Sequence, residues 1–122
     1  MPDNNLKLVK WILKIAVFGE FLGHGVFALQ GKAAWLAWFP VFGVNNPQTA
    51  STLLFLIGVI DIALAIFVLV RPLPLMLLWM AIWGFWTALI RPLVGEPIWD
   101  FIERWANWGA PLALFFFLKW KI

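Results

Sequence analysis

ASTLLFLIGVIDIALAIFVLV, residues 50–70, holds a single ionisable side chain, Asp61, near its centre. As an α-helix rising about 1.5 Å per residue the stretch is about 30 Å long, the thickness of a bilayer's hydrocarbon core. So long a run with so little charge reads as a transmembrane helix. Asp61 then becomes the question, because a charge at bilayer depth costs a few kcal/mol unless it faces protein or water.

The rest of the chain has the same character. Residues 8–29 form a second apolar run, and LPLMLLWMAIWGFWTALI at 73–90 forms a third, bounded on both sides by Arg-Pro-Leu. Proline after arginine is expected to stop each helix and leave the arginine at the interface. APLALFFFLKW at 110–120 is too short to cross alone. A helix beginning near Pro97, a favourable first-turn position for proline, would run about 24 residues to Trp120 and cross. It would carry Asp100, Glu103, Arg104 and Asn107 into the outer part of the bilayer. The expected fold is therefore all-α: an integral membrane four-helix bundle forming one transmembrane domain over 1–122, with spans at about 8–29, 50–70, 73–90 and 97–120.

Composition agrees. The chain is 64% hydrophobic and 12% charged, with a mean hydropathy of +0.92. Soluble domains are roughly half apolar and a quarter charged. A net charge of +3 invites a nucleic-acid reading, but the nine basic residues are scattered singly at segment ends and form no patch. The absence of cysteine excludes disulfides, thiolate metal sites and cysteine nucleophiles. MPDNNLKLVKWILK leads into the first run with no small-residue cleavage site after it, so that run is read as a retained span.

Lysine and arginine set the expected orientation. With four spans, one side carries Lys7, Lys10, Lys14, Arg71, Lys119 and Lys121, and the other carries Lys32, Arg91 and Arg104, six against three. That imbalance places both termini in the cytoplasm. GKAAWLAWFPVFGVNNPQ, 31–48, then lies outside, and its Trp35, Leu36, Trp38 and Phe39 suit either a short interfacial helix or a plain connector with aromatic anchors.

The ionisable residues gather towards the outer end of the spans. In GEFLGHG, 19–25, Glu20 and His24 are one helical turn apart on one face. Glu20 lies ~13 Å below the outer end of its span, and Asp61 ~16 Å. Arg91 ends the third span, while Asp100, Glu103, Arg104 and Asn107 follow i, i+3, i+4, i+7 spacing along the fourth. Inward-facing, these residues would meet in a polar cavity open to the outside. They would pair as Glu20 or Asp61 with His24 or Arg104, and Arg91 with Glu96 or Asp100. The bland alternative leaves residues 96–104 snorkelling into water. Trp79, Trp83 and Trp86 make one helical stripe, either packing or an aromatic wall for a planar or cationic ligand. Glycines 19, 23, 25 and 58 permit close helix approach. Glu20 and His24 with Asp61 and Glu103 would supply metal ligands only if all converged, so no metal site is assigned. No nucleophile elbow, glycine-rich phosphate loop or serine triad is present, and the catalytic residues and cofactor stay unassigned.

The chain also resembles the DoxX-like small membrane proteins, related to a subunit of a terminal quinol oxidase. The shared features are its length, its four spans and a first span whose outer half reads G-E-F-L-G-H-G-V-F-A-L. An aromatic loop with a glycine follows, then an acidic residue (Asp61) ahead of a hydrophobic run closed by Arg71-Pro72. Gly19, Gly23, His24 and Gly25 are the positions that align with the family's first-span pattern. The resemblance implies a four-helix bundle in a bacterial inner membrane, associated with redox or quinone chemistry as an accessory subunit, with a quinone or lipid as ligand and other membrane subunits or a second copy as partners. It defines no catalytic residues to carry over, and enzyme activity of the chain on its own stays open, with a non-catalytic role the leading expectation. Two further readings come from the residues themselves. One is a homodimeric proton-coupled transporter, Glu20 exchanging protons for a cation held against indoles. The other is a lipid-modifying enzyme with Glu20 and His24 as acid and base.

Overall fold

The computed structural model describes residues 3–119, which form helices and the turns between them. In chain order these are α1 (Asp3–Leu29), α2 (Ala33–Leu36), a 3-10 turn (Phe39–Phe42), α3 (Pro47–Val70), α4 (Pro74–Leu93), α5 (Ile98–Ile102) and α6 (Ala106–Lys119). The expected end of the fourth span at Trp120 and the charge at Lys121 lie outside the described residues. Among the described residues three helices are long and apolar enough to cross a membrane: α1 with 27 residues, α3 with 24 and α4 with 20. This is a small membrane protein with three candidate spans and a largely apolar surface suited to lipid.

Local chemistry sets the helix ends. Asn46 caps α3, its side-chain oxygen accepting from the backbone N–H of Gln48 at 2.9 Å, with Pro47 as the first helical residue. At the end of α1, Gly31 adopts φ +68°, and the N–H groups of Lys32 and Gly31 donate to the carbonyls of Phe27 and Ala28. Gly95, at φ +95°, ends α4 the same way, with Glu96 donating to Arg91 and Gly95 to Pro92. Both are left-handed caps that a residue with a Cβ adopts at a cost.

The second of these caps corrects an expectation. Arg71-Pro72 does terminate α3, but α4 runs through Arg91-Pro92 to Leu93 and stops only at the glycine. A proline one turn from a helix end forfeits a single backbone bond, and the pair of cap bonds beyond it offsets the loss. Arg91 is consequently 5% exposed, where an interfacial arginine was expected.

The fourth segment, expected as a span over about 97–120 with its continuity left open, is broken into two helices. Residues 103–105 form a turn between α5 and α6, in which Arg104 and Trp105 donate backward by three residues to Phe101 and Ile102. The Arg104 guanidinium donates at 2.9 Å to the Asp100 carbonyl, occupying the acceptor that a continuing helix would give to the Arg104 N–H. α6 alone, with 14 residues, is about 20 Å long, short of a full crossing.

Packing divides the bundle into two pairs. α1 packs along α3, and α4 along α6, while α1 and α6 join the pairs. α3 and α4, although linked by only Arg71–Leu73, barely touch. The first pair meets backbone to backbone. A Cβ on Gly58 would stand 2.9 Å from both the Gly25 carbonyl oxygen and the Leu29 nitrogen. In the second pair Gly84 lies directly against the Asn107 carbonyl. The buried core occupies the half nearer the α3–α4 link and takes two residues from each long element: Val17 and Phe21, Ala65 and Val68, Leu77 and Met80, Leu114 and Phe115.

Gly58→Ala is expected to cost about 1–3 kcal/mol, because the atoms in its way are backbone. Gly19→Ala, whose added Cβ meets nothing within 4 Å, should gain about 0.5–1 kcal/mol from reduced chain entropy. Reversible unfolding in mixed micelles measures both. Equal losses at the two positions would show that helix contact is not the cause.

Candidate functional site

Where α3 and α4 diverge, away from their short link, they enclose a cavity of about 320 Å³. That is within the usual range of small-ligand sites, roughly 300–1,000 Å³. One face of α3 supplies Leu54, Ile57 and Asp61, and α4 supplies Trp83, Trp86, Thr87, Ile90 and Arg91. His24 enters from α1. The remaining wall comes from the connection between α1 and α3, which contributes Trp35, Trp38, Phe39, Phe42 and Val44.

This connection is folded onto the bundle as a strap by specific contacts. Trp35 meets His24 edge-on at 5.6 Å, and Phe42 meets Trp86 at 5.8 Å. Trp38 is gripped from two sides. Its ring lies 5.1 Å from the Arg91 guanidinium carbon, and its indole N–H donates to the Glu96 carboxylate at 3.2 Å. Arg91 is itself oriented by a 2.7 Å hydrogen bond from Nη1 to the Thr87 carbonyl one turn earlier. A buried guanidinium thus has a backbone acceptor on one side and a π face on the other, two contacts that offset part of its desolvation.

Of the expected site residues, His24, Asp61 and Arg91 come together on this cavity, and Asp61 is only 4% exposed. Trp83 and Trp86 line it. Trp79 stacks on Trp83 at 5.8 Å but lies half-exposed, off the lining. Glu20 is not on the lining either, and its Oε2 is buried without a hydrogen-bond partner. Asp100, Glu103, Arg104 and Asn107 lie elsewhere. Arg104 pairs with its neighbour Glu103 at 2.7 Å, and the backbone of Asn107 packs on Gly84. None of the expected cross-helix ion pairs forms among the described residues, where Arg104–Glu103 is the only ion pair. The turn at 103–105 accounts for part of this, because it dissolves the single helical face on which those four residues were expected. Nor do Glu20, His24, Asp61 and Glu103 converge as a ligand set among the described residues.

Sequence reasoning read the strap aromatics as interfacial anchors and missed them as a cavity wall. The usable signal was Gly31, which turns the chain back at the end of α1. Glu96 or Asp100 was expected to hold Arg91; Glu96 instead holds the indole that covers Arg91.

Chemically the cavity is an aromatic box with few polar points: the His24 imidazole, the Asp61 carboxylate, the Thr87 hydroxyl and the Arg91 guanidinium. Aromatic walls with a few placed polar atoms suit reversible binding of a flat apolar group carrying one or two polar atoms. No family model, curated protein or solved structure matches the chain.

Trp38→Phe keeps a ring over Arg91 and removes the bond to Glu96, so it should cost about 0.5–1.5 kcal/mol. Trp38→Ala also strips the cation–π contact and should cost about 1–2 kcal/mol more. Thermal unfolding of the two variants in the same detergent checks the order; equal losses would mean that the ring contact with Arg91 contributes nothing.

Proposed function

We propose that the protein is a ligand-binding accessory subunit of a membrane redox assembly and that it holds a quinone or a related lipid in the cavity between α3 and α4. The observation that carries this reading is the cavity itself, indole and phenyl walls closing on His24, Thr87 and Arg91. A quinone head is a flat ring with two carbonyl oxygens. It needs π faces to lie against and donors at its edge, and the His24 imidazole and the Arg91 guanidinium are of the donor type, the Thr87 hydroxyl already donating to the Gly84 carbonyl. The DoxX-like resemblance of the first span points the same way. The protein works with other membrane subunits, in a bacterial inner membrane, with α5 and α6 together completing a fourth crossing. Both termini are cytoplasmic and the cavity lies in the outer half.

A second reading has one observation in its favour, the Asp61 carboxylate on the cavity beside indole faces. A homodimeric proton-coupled carrier of organic cations would use that pairing. In that case Asp61, and not Glu20, is the anion that meets the ligand. Arg91 on the same cavity favours an uncharged carbonyl ligand over a cation.

In nanodiscs, decylubiquinone should quench the tryptophan fluorescence of the wild type saturably. Trp83→Leu and Arg91→Leu should each weaken binding about tenfold, the equivalent of one lost contact of about 1.4 kcal/mol. Glu20→Gln should leave it unchanged. Binding of tetraphenylphosphonium in place of the quinone, lost in Asp61→Asn, would move the assignment to the carrier, and binding of neither probe would end both readings.

A further inference from the structure

We infer that the ligand reaches this cavity sideways from the bilayer, through a slot between α3 and α4 framed by Phe42 and Trp86. The ligand is therefore a lipid-dissolved amphiphile whose flat head enters the box while its apolar tail stays in the slot. The inference rests on the ligand-binding reading and adds the route and the ligand class.

Three observations converge on the slot. First, α3 and α4 barely touch, whereas α1 packs on α3, α4 on α6 and α1 on α6. In a membrane an open seam faces acyl chains. Second, Phe42 and Trp86 alone among the residues lining the cavity are exposed, at 46% and 37%, and they stand against each other at 5.8 Å. The other lining residues are buried or half-buried. We take these two exposed rings, Phe42 on the strap and Trp86 on α4, to mark the mouth of the cavity. Third, Trp86 precedes the end of α4 at Leu93 by seven residues, which places it ~10 Å down the helix and below the headgroups. The exposed side chains next to the lining ones, Leu53 and Leu56 of α3 and Ile82 of α4, are apolar. A mouth at that depth between such faces opens onto lipid.

The aqueous side is covered by the strap. Trp38 lies over Arg91 and is tied to Glu96, and Trp35 abuts His24. The polar groups of the cavity are thus screened from water by indoles but reachable from the membrane, where a ligand with a long apolar tail already resides.

The test exploits a chain without cysteine. A Phe42→Cys/Trp86→Cys double variant in nanodiscs is bridged across the slot by a thiol-cleavable bis-methanethiosulfonate, and decylubiquinone binding is followed by stopped-flow tryptophan quenching. Bridging should slow association about tenfold or more, as expected when a route must first open, and reduction should restore it. An unchanged rate in the bridged protein, with binding intact, would overturn the lateral route and leave the binding site standing. Absence of binding in the wild type would remove the site and the route together. Should the double variant not fold, the wild type decides. With total probe fixed and lipid varied, the association rate should follow the mole fraction of probe in the bilayer, and a rate that follows its aqueous concentration would overturn the route.

Discussion

The backbone contact between Gly25 and Gly58 is the constraint on which the rest of the bundle hangs. Inside a bilayer there is no hydrophobic gain from bringing two helices together, because lipid tails are as apolar as the side chains they replace. Association depends on dispersion between surfaces that approach closely, and a missing Cβ on each helix is what permits that approach. A Cβ on Gly25 would stand 2.6 Å from the Ile62 side chain and 3.0 Å from the Gly58 carbonyl oxygen. Gly84 against Asn107 performs the same service for α4 and α6. With α3 committed to α1 and α4 committed to α6, the two consecutive helices α3 and α4 have no such row to share, and they part.

That parting explains why the two halves of the molecule differ. Near the short α3–α4 link the four long elements are still close, and Val17, Phe21, Val68, Leu77, Met80 and Leu114 fill the centre completely. Towards the other end the gap exceeds what side chains from four helices can fill. The α1–α3 connection folds in with its tryptophans and phenylalanines, and a cavity remains. Two of the three buried charged residues, Asp61 and Arg91, sit in this half, where they need not displace close-packed core, while Lys14 is buried at the other end. Arg91 tolerates burial there because the Thr87 carbonyl and the Trp38 ring both face its guanidinium.

Glu20 and His24 show how far a spacing argument reaches. Four residues apart on a helix, they do share a face of α1, yet only His24 shares the cavity with Asp61 and Arg91. The strap aromatics reach His24 through Trp35. The cavity presents indole and phenyl faces with the side chains of His24, Asp61 and Arg91 among them.

Length and polarity along the chain determined that this is a helical membrane protein, since about 20 apolar residues with one charge have few alternatives in water. They also determined most helix ends, because the capping of Asn46-Pro47 and the glycine after α1 are contests among near neighbours. The tertiary structure alone decided the rest. Whether Arg91 snorkels or lies under an indole, and which seam of the bundle stays open, depend on the partner each surface finds. Those partners are distant in sequence, as Trp38 is from Glu96, 58 residues away. A local pattern records which face a side chain occupies; the close approach of glycine rows on other helices decides what that face meets.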